Sequence, residues 1–412
     1  MDHFHYQAGD AYCERVKLRE IAATLGTPAY VYSRATLARH CSEFKDAFSG
    51  HPTYFCYAIK ANGNLGLLKE IFSHGFGADI VSLGELERAL LAGVDVKKLV
   101  YSGVGKREDE IVRALELGIF CINVESFFEL ELIAKVSARL KKKAPISLRL
   151  NPNIDAKTHP KIATGLHSTK FGIAVEEVPR FLEFLKKHRT HLEFVGLDCH
   201  IGSQLLDLGP IQDAVQQMLL LVDSVRSQGF PIRHLNMGGG LGIRYTNENP
   251  PSIKDYAKIL LGALRGKDLT LLLEPGRVLV GNSGVLLMSV MGIKETAKKN
   301  FAIVDAAMND LLRPTLYGAQ HEICSVQENE ASKVYDVVGP VCETGDYLAL
   351  DQQLPLLRPG DLLYARTCGA YGFCMSSHYN SRPRPVEIMV DGATVHVVRK
   401  REKLSDLWRG EI

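Results

Sequence analysis

The stretch YFCYAIKANGNLGLLKEIFSHGFGADIVS, residues 54–82, contains one complete structural unit. Residues 54–59 form an unbroken apolar and aromatic run, the pattern of a strand covered on both faces. GNLGLLKEIFSHG then spaces its apolar residues as the inward stripe of a helix, and GADIVS opens a second apolar run. A lysine, Lys60, stands where the first run ends. An ammonium there is costly to bury unless it is paired or chemically used, although a strand-end lysine can also carry its charge out to solvent.

Working outward, the same unit recurs. Further apolar runs occupy residues 77–82, 99–103, 119–126, 146–152, 192–203, 234–240 and 269–277, with helical patterns such as GELERALLAGV, REDEIVRALELG and IQDAVQQMLLLVDSVRSQG between them. Eight strands alternating with helices is the number that closes a parallel (β/α)8 TIM-like barrel. An open, doubly wound sheet shows the same local alternation and stands as the rival. After residue 281 the texture changes to short strands joined by turns such as RPGD and VDGA, which predicts a C-terminal antiparallel β domain. PAYVYS, residues 28–33, reads as a strand able to join that sheet. The expected organisation is therefore α/β, with a barrel over 35–280 and a β domain formed by 1–34 and 281–412.

The bulk composition agrees with two domains, since 412 residues exceed the length at which one core usually stops growing. Lys+Arg 49 against Asp+Glu 47 leaves a formal charge of +2, which asks for neither nucleic acid nor an anionic membrane. The nine cysteines are scattered, without CxxC pairs or zinc spacing, and read as free thiols in a reducing compartment. The first twenty residues carry early charges and no apolar signal-peptide core, and no segment has the apolar length of a membrane span. The expected setting is the cytoplasm. HExxH is absent and GNSGV is not a nucleophile elbow, so zinc and serine hydrolysis are set aside and no metal is expected.

Catalytic residues of barrels collect at the carboxyl ends of the strands. Those ends carry Lys60, Asp79, Ser102, Arg149, His200 with Ser203, the run Gly238, Gly239 and Gly240, and Glu274 with Gly276 and Arg277. Singly, each has an ordinary explanation: a hydrogen-bonded structural histidine, a tight glycine turn, a local ion pair in EPGR. Jointly, a strand-end lysine, a glycine-rich phosphate cradle late in the barrel, a flat imidazole and a carboxylate are what pyridoxal 5'-phosphate requires. A carboxylate rather than an arginine on the ring nitrogen keeps that nitrogen protonated, and so preserves the ring as an electron sink for a carbanion.

YAIKAN, HIGSQ, GGGLG, EPGR, CETGD and GAYG, in this order across nearly the whole chain, resemble the fold-type III pyridoxal phosphate decarboxylases, which pair a (β/α)8 barrel with an alanine racemase-like β domain. Within that family, residues 151–173, 312–323 and 369–385 are most similar to members acting on meso-2,6-diaminopimelate. The resemblance implies that Lys60 is the Schiff-base lysine and that Asp79, His200, Ser203, Gly239, Gly240, Glu274, Gly276, Arg277 and Tyr371 bind the cofactor. It implies Cys342 as proton donor, reaching the site from the second subunit of a homodimer. Arg277, Arg313, Tyr317, Glu343 and Tyr371 are implied for substrate. Two departures stand out: Thr344, where the family more often has serine, and Lys161, where an aromatic is common.

Substrate choice can be argued from charge. Ornithine, lysine and arginine end in a cation without a carboxylate, whereas this sequence offers Arg277 and Arg313 together with Glu343. Two arginines suit a carboxylate and the acid suits an ammonium, so the distal end expected is an amino-acid head group. The implied reaction is loss of CO2 from meso-2,6-diaminopimelate to give L-lysine. A decarboxylase for another amino acid, a racemase, and an inactive barrel serving as a binding partner are the alternatives. Glu274 weighs against the racemase, and retention of Lys60 and Cys342 weighs against the inactive barrel.

Overall fold

The computed structural model describes residues 2–155, 162, 164, 169–330 and 332–412. The opening stretch folds as a strand, Thr53–Ala58, a helix, Leu65–Ser73, and a second strand, Gly77–Ile80. Asn64 starts the helix by accepting the Gly66 amide through its side chain. Lys60 lies two residues beyond the strand, in a short 3-10 turn, Ile59–Ala61.

Six more strands repeat the pattern: Leu99–Tyr101, Cys121–Val124, Ala144–Asn151, Leu192–Asp198, His234–Asn236 and Thr270–Leu273. Each pairs in parallel with the next. The eighth strand pairs in parallel with the first, Leu272 opposite Tyr54, so the sheet closes and the open alternative is excluded. Cys56, Val100, Cys121, Val195 and Leu272, drawn from five different strands, pack into one buried cluster. These strands are apolar run after apolar run because both faces are covered.

The chain divides into two compact units: residues 1–40, 243–248 and 279–412 form one, and residues 41–242 and 249–278, which contain the barrel, form the other. In the non-barrel unit one sheet runs in the order Tyr347–Leu354, Lys333–Val338, Asn300–Val304, Gly284–Glu295, Ala29–Ser33, Val386–Asp391 and Thr394–Arg399. Most neighbours are antiparallel, as the tight turns predict. Two pairings are parallel, Asn300–Val304 with Lys333–Val338 and Ala29–Ser33 with Val386–Asp391, so the sheet is mixed. Ala29, Val31, Val285, Leu287, Val386, Ile388 and Val390 build its core. PAYVYS joins this sheet between Gly284–Glu295 and Val386–Asp391. No helix among the described residues is long and apolar enough to cross a membrane, and all nine cysteines are free.

Candidate active site

The carboxyl ends of the barrel strands carry a polar layer. Past the first strand, the Lys60 ammonium donates to Asp79 Oδ2 at 2.6 Å. Asp79, on the second strand, is fully buried, and its Oδ1 has no hydrogen-bond partner among the described residues. A buried carboxylate facing an ammonium fixes the position of the amine.

Glu274 follows the eighth strand and is also buried. Asn236, at the end of the seventh strand, donates from Nδ2 to Glu274 Oε1 at 2.6 Å. The Asn236 Oδ1 in turn accepts the Gly238 amide at 2.9 Å, and the Glu274 amide donates to the Gly238 carbonyl at 2.7 Å. One asparagine thus ties the carboxyl to the glycine turn. Burial raises the Glu274 pKa well above the usual carboxylate range, with Asp79 and Asp198 adding to the effect and Lys60 and Asn236 opposing it. A carboxyl held in its acid form has a proton to share with a ring nitrogen placed against it.

The turn after the seventh strand is built so that backbone meets backbone. A Cβ on Gly239 would lie 2.2 Å from the Glu274 carbonyl oxygen. Gly240 has φ +104, and a Cβ there would lie 2.3 Å from the Gly202 carbonyl oxygen. Only glycine satisfies both positions. The Leu205 amide donates to the Gly240 carbonyl at 2.8 Å, joining this turn to the loop that carries Ser203. Arg277 Nη2 donates to Ser203 Oγ at 3.1 Å. Gly276 packs where a Cβ would lie 3.2 Å from those of Ala58 and Ala61, next to Lys60. His200 follows the sixth strand, half-buried, and accepts the Gly202 amide on Nδ1 at 3.3 Å. Burial, with Arg149 and Lys60 adding to it, drives the His200 pKa well below the ordinary histidine value, so its ring is uncharged.

The barrel unit thus brings together Lys60, Asp79, His200, Ser203, Gly239, Gly240, Glu274, Gly276 and Arg277. The other five proposed residues lie in the second unit. Arg313 and Tyr317 bound a short helix, Arg313–Tyr317, closed by Gly318 in the left-handed conformation at φ 60. Arg313 is buried, donates from Nη1 to His321 Nε2 at 2.8 Å and lies 4.2 Å from the Tyr245 ring centroid. The turn holding Cys342 and Glu343 is fastened to that helix, because Thr315 Oγ1 donates to the Gly345 carbonyl at 2.6 Å and the Tyr347 hydroxyl to the Pro314 carbonyl at 3.1 Å. Cys342 is exposed, and its amide donates to Asn380 Oδ1 at 2.9 Å. The Glu343 carboxylate raises the Tyr379 pKa by accepting its hydroxyl proton in a hydrogen bond. Tyr371 is held at φ 55, before Gly372. Lys161 lies outside the described residues.

Three barrel residues escaped a role on sequence grounds. Asn236 sits inside HLNMGGG, where the glycines draw attention away from it. Glu125 and Asp198 end apolar runs, as Asp79 does, and that repeated position was the available signal. Both are buried, and both face Arg149.

A lysine amine on a buried carboxylate, an acid-form carboxyl, an uncharged imidazole and a bare glycine turn beside a hydroxyl and a guanidinium fit pyridoxal phosphate group by group. On a closed parallel barrel with a second β unit, this donor set defines a pyridoxal phosphate enzyme with carbanion chemistry. Residues 34–281 match the family of the pyridoxal-dependent decarboxylase, pyridoxal binding domain. The diaminopimelate decarboxylase of Pseudomonas aeruginosa is 52% identical over 412 residues, covering 100% of this chain and 99% of its own length. Among solved structures, diaminopimelate decarboxylase from Helicobacter pylori complexed with L-lysine superposes with TM-score 0.92 at 46% identity, over 95% of this chain and 98% of that one. The M. jannaschii diaminopimelate decarboxylase in co-complex with L-lysine gives TM-score 0.95 at 36% identity, over 100% and 98% of the two chains. The chain belongs to the diaminopimelate decarboxylases of the pyridoxal-dependent decarboxylase family.

Proposed function

We propose that this chain decarboxylates meso-2,6-diaminopimelate to L-lysine and CO2, the last step of lysine biosynthesis, as a cytoplasmic homodimer. The observation that carries the reading is the polar layer at the barrel's carboxyl end, where the Lys60–Asp79 pair and the Asn236–Glu274 pair share one closed ring of strands. Bound there, pyridoxal phosphate supplies an aldehyde for the substrate amine and a protonated ring that accepts the electron pair left behind by CO2.

The chain's own residues do the rest. Asp79 orients the Lys60 amine. Glu274, kept in place by Asn236, holds a proton at the ring nitrogen. His200 offers an uncharged flat face, and the amides of Gly239 and Gly240 with Ser203, Gly276 and Arg277 bind the phosphate end. Tyr371 lies with cofactor and substrate.

For the distal end of the substrate the reading assigns Arg277, Arg313, Tyr317 and Glu343. Guanidinium groups take the distal carboxylate and Glu343 the distal ammonium. A tail without a carboxylate forfeits the charge-assisted bonds to these guanidinium groups, which discriminates by orders of magnitude. Cys342 protonates the carbon that has lost CO2. We assign Arg313, Tyr317, Cys342, Glu343 and Tyr371 to the active site completed by a second copy of the chain; the exposure of Cys342 and its polar turn support this.

Borohydride reduction of the cofactor-loaded enzyme, followed by digestion, is expected to leave the label on the peptide spanning 54–62. CO2 release is expected from meso-2,6-diaminopimelate and not from ornithine, lysine or arginine. Active enzyme labelled elsewhere overturns the cofactor assignment, and turnover of ornithine in preference overturns the substrate assignment.

A further inference from the structure

The barrel's polar layer holds a group that the reaction as described does not use. Arg149, on the fifth strand, is buried, and its Nη1 donates to Glu125 Oε1 at 2.9 Å. Its Nε stands 3.7 Å from Asp198 Oδ2, beyond hydrogen-bond length but well inside the range of charge attraction. Glu125 follows the fourth strand and Asp198 ends the sixth, so one guanidinium links three consecutive strand ends.

Both partners are anchored further. Glu125 Oε1 accepts the Gly103 amide at 2.7 Å and its Oε2 accepts the Gly172 amide at 3.2 Å. The Phe171 ring lies with its centroid 5.1 Å from the guanidinium carbon. Asp198 is two residues before His200, and Thr164 Oγ1 donates to the His200 carbonyl at 2.7 Å. Arg149 therefore braces both the strand that delivers His200 and, through Glu125 and its own ring contact, Gly172 and Phe171.

Charge gives the brace a second task. The layer contains four buried carboxyls, Asp79, Glu125, Asp198 and Glu274, and its cations include Lys60, Arg149 and Arg277. Lys60 is committed to Asp79. Arg149 and Arg277 are both buried cations near the His200 loop, Arg277 on Ser203, and of the two Arg149 is the one whose charge adds to that of Lys60 in opposing protonation of the imidazole.

We propose that Arg149 is a positioning residue for decarboxylation: hydrogen-bonded to Glu125 and facing Asp198, it fixes the end of the sixth strand, from which His200 follows. The inference rests on the assignment of His200 to the face of pyridoxal phosphate, where an imidazolium would repel a protonated ring. Glu125, Asp198, Asp79, Glu274, Lys60 and Arg277 are charged groups of the strand ends around it.

The test uses Arg149→Lys and Arg149→Met. In cofactor-free protein with labelled histidine rings, NMR follows His200. In wild type it stays untitrated through about pH 6.5, where an exposed histidine titrates. Arg149→Lys is expected to keep it so, and Arg149→Met to raise its titration above that of wild type but still below that value, because burial, the larger cause, remains. In the loaded enzyme, Arg149→Lys, which cannot span both acids, is expected to lower kcat by roughly tenfold or more with KM little changed. Arg149→Met is expected to lose more and to move the acid limb of its pH profile upward.

Followed to acid pH, a His200 titration that does not shift between wild type and Arg149→Met overturns the charge role. A wild-type kcat in Arg149→Lys overturns the brace, and decides that point even if the methionine variant does not fold. Failure of wild type to take the borohydride label at Lys60 instead removes the cofactor assignment, so the two failures are separable.

Discussion

Glu274 concentrates the chemistry at the scale of one residue. Its carboxyl is buried, pinned by Asn236 at 2.6 Å and pushed up in pKa chiefly by burial. Glutamine preserves the shape but has no proton to hold at a ring nitrogen. Glu274→Gln is expected to keep the borohydride label on Lys60 while kcat falls by about 100-fold or more, the scale of losing one preorganised electrostatic group; absorbance and single-turnover rates check this. Lys60 and Glu274 could be singled out from sequence because charged residues at the ends of apolar strands are conspicuous. Asn236 could not, since its importance comes from facing the neighbouring strand's carboxyl. Arg149 stood among the conspicuous residues, but its partners Glu125 and Asp198 are distant in sequence and gave it no role.

Among the elements, the glycine turn after the seventh strand is the least replaceable. Its tolerance is set by backbone oxygens, which cannot swing aside as a side chain can. In Gly239→Ala the added methyl meets the Glu274 carbonyl, 2.2 Å away, so turn or carboxyl must shift. The variant is expected to fold and to bind pyridoxal phosphate at least about tenfold more weakly, read by fluorescence titration of cofactor-free protein; unchanged affinity would show that the turn does not hold the phosphate. The strands themselves were legible because buried parallel strands are nearly pure apolar runs. Their ends were less so: Lys60 sits in a 3-10 turn and not on the strand, because Ile59–Ala61 leaves the ladder early. The two parallel pairings of the β unit were not legible, since Ala29–Ser33 and Val386–Asp391 lie at opposite ends of the chain and no turn signals their partnership.

For the molecule as a whole, buried carboxyls set a pH dependence of stability. Burial pushes Asp198 up to about 7, against the partial opposition of Arg149. The unfolded chain releases that proton near pH ~3.9. Between those values the folded chain binds more protons than the unfolded one, so this group's contribution falls as pH rises through the window and the loss is complete above about 7. The cofactor-free Asp198→Asn variant is expected to match wild type in Tm near pH 4 and to exceed it increasingly up to about pH 7, with a constant margin beyond, measured by scanning calorimetry. A margin that shrinks as pH rises would reverse the sign and contradict a raised Asp198. A second sheet besides the barrel was legible from the change in texture after residue 281. The return of residues 243–248 to the non-barrel unit was not, because six residues between two barrel elements carry no compositional mark.

The strand Ala29–Ser33 lies between Gly284–Glu295 and Val386–Asp391. During synthesis it leaves the ribosome before any barrel strand, and both of its neighbours emerge only after every barrel strand has been made. An apolar ribbon with two open edges must wait through most of translation, which is when such edges recruit the wrong partner. Moving that strand's sequence to a point after residue 391 would let it emerge beside neighbours already in place.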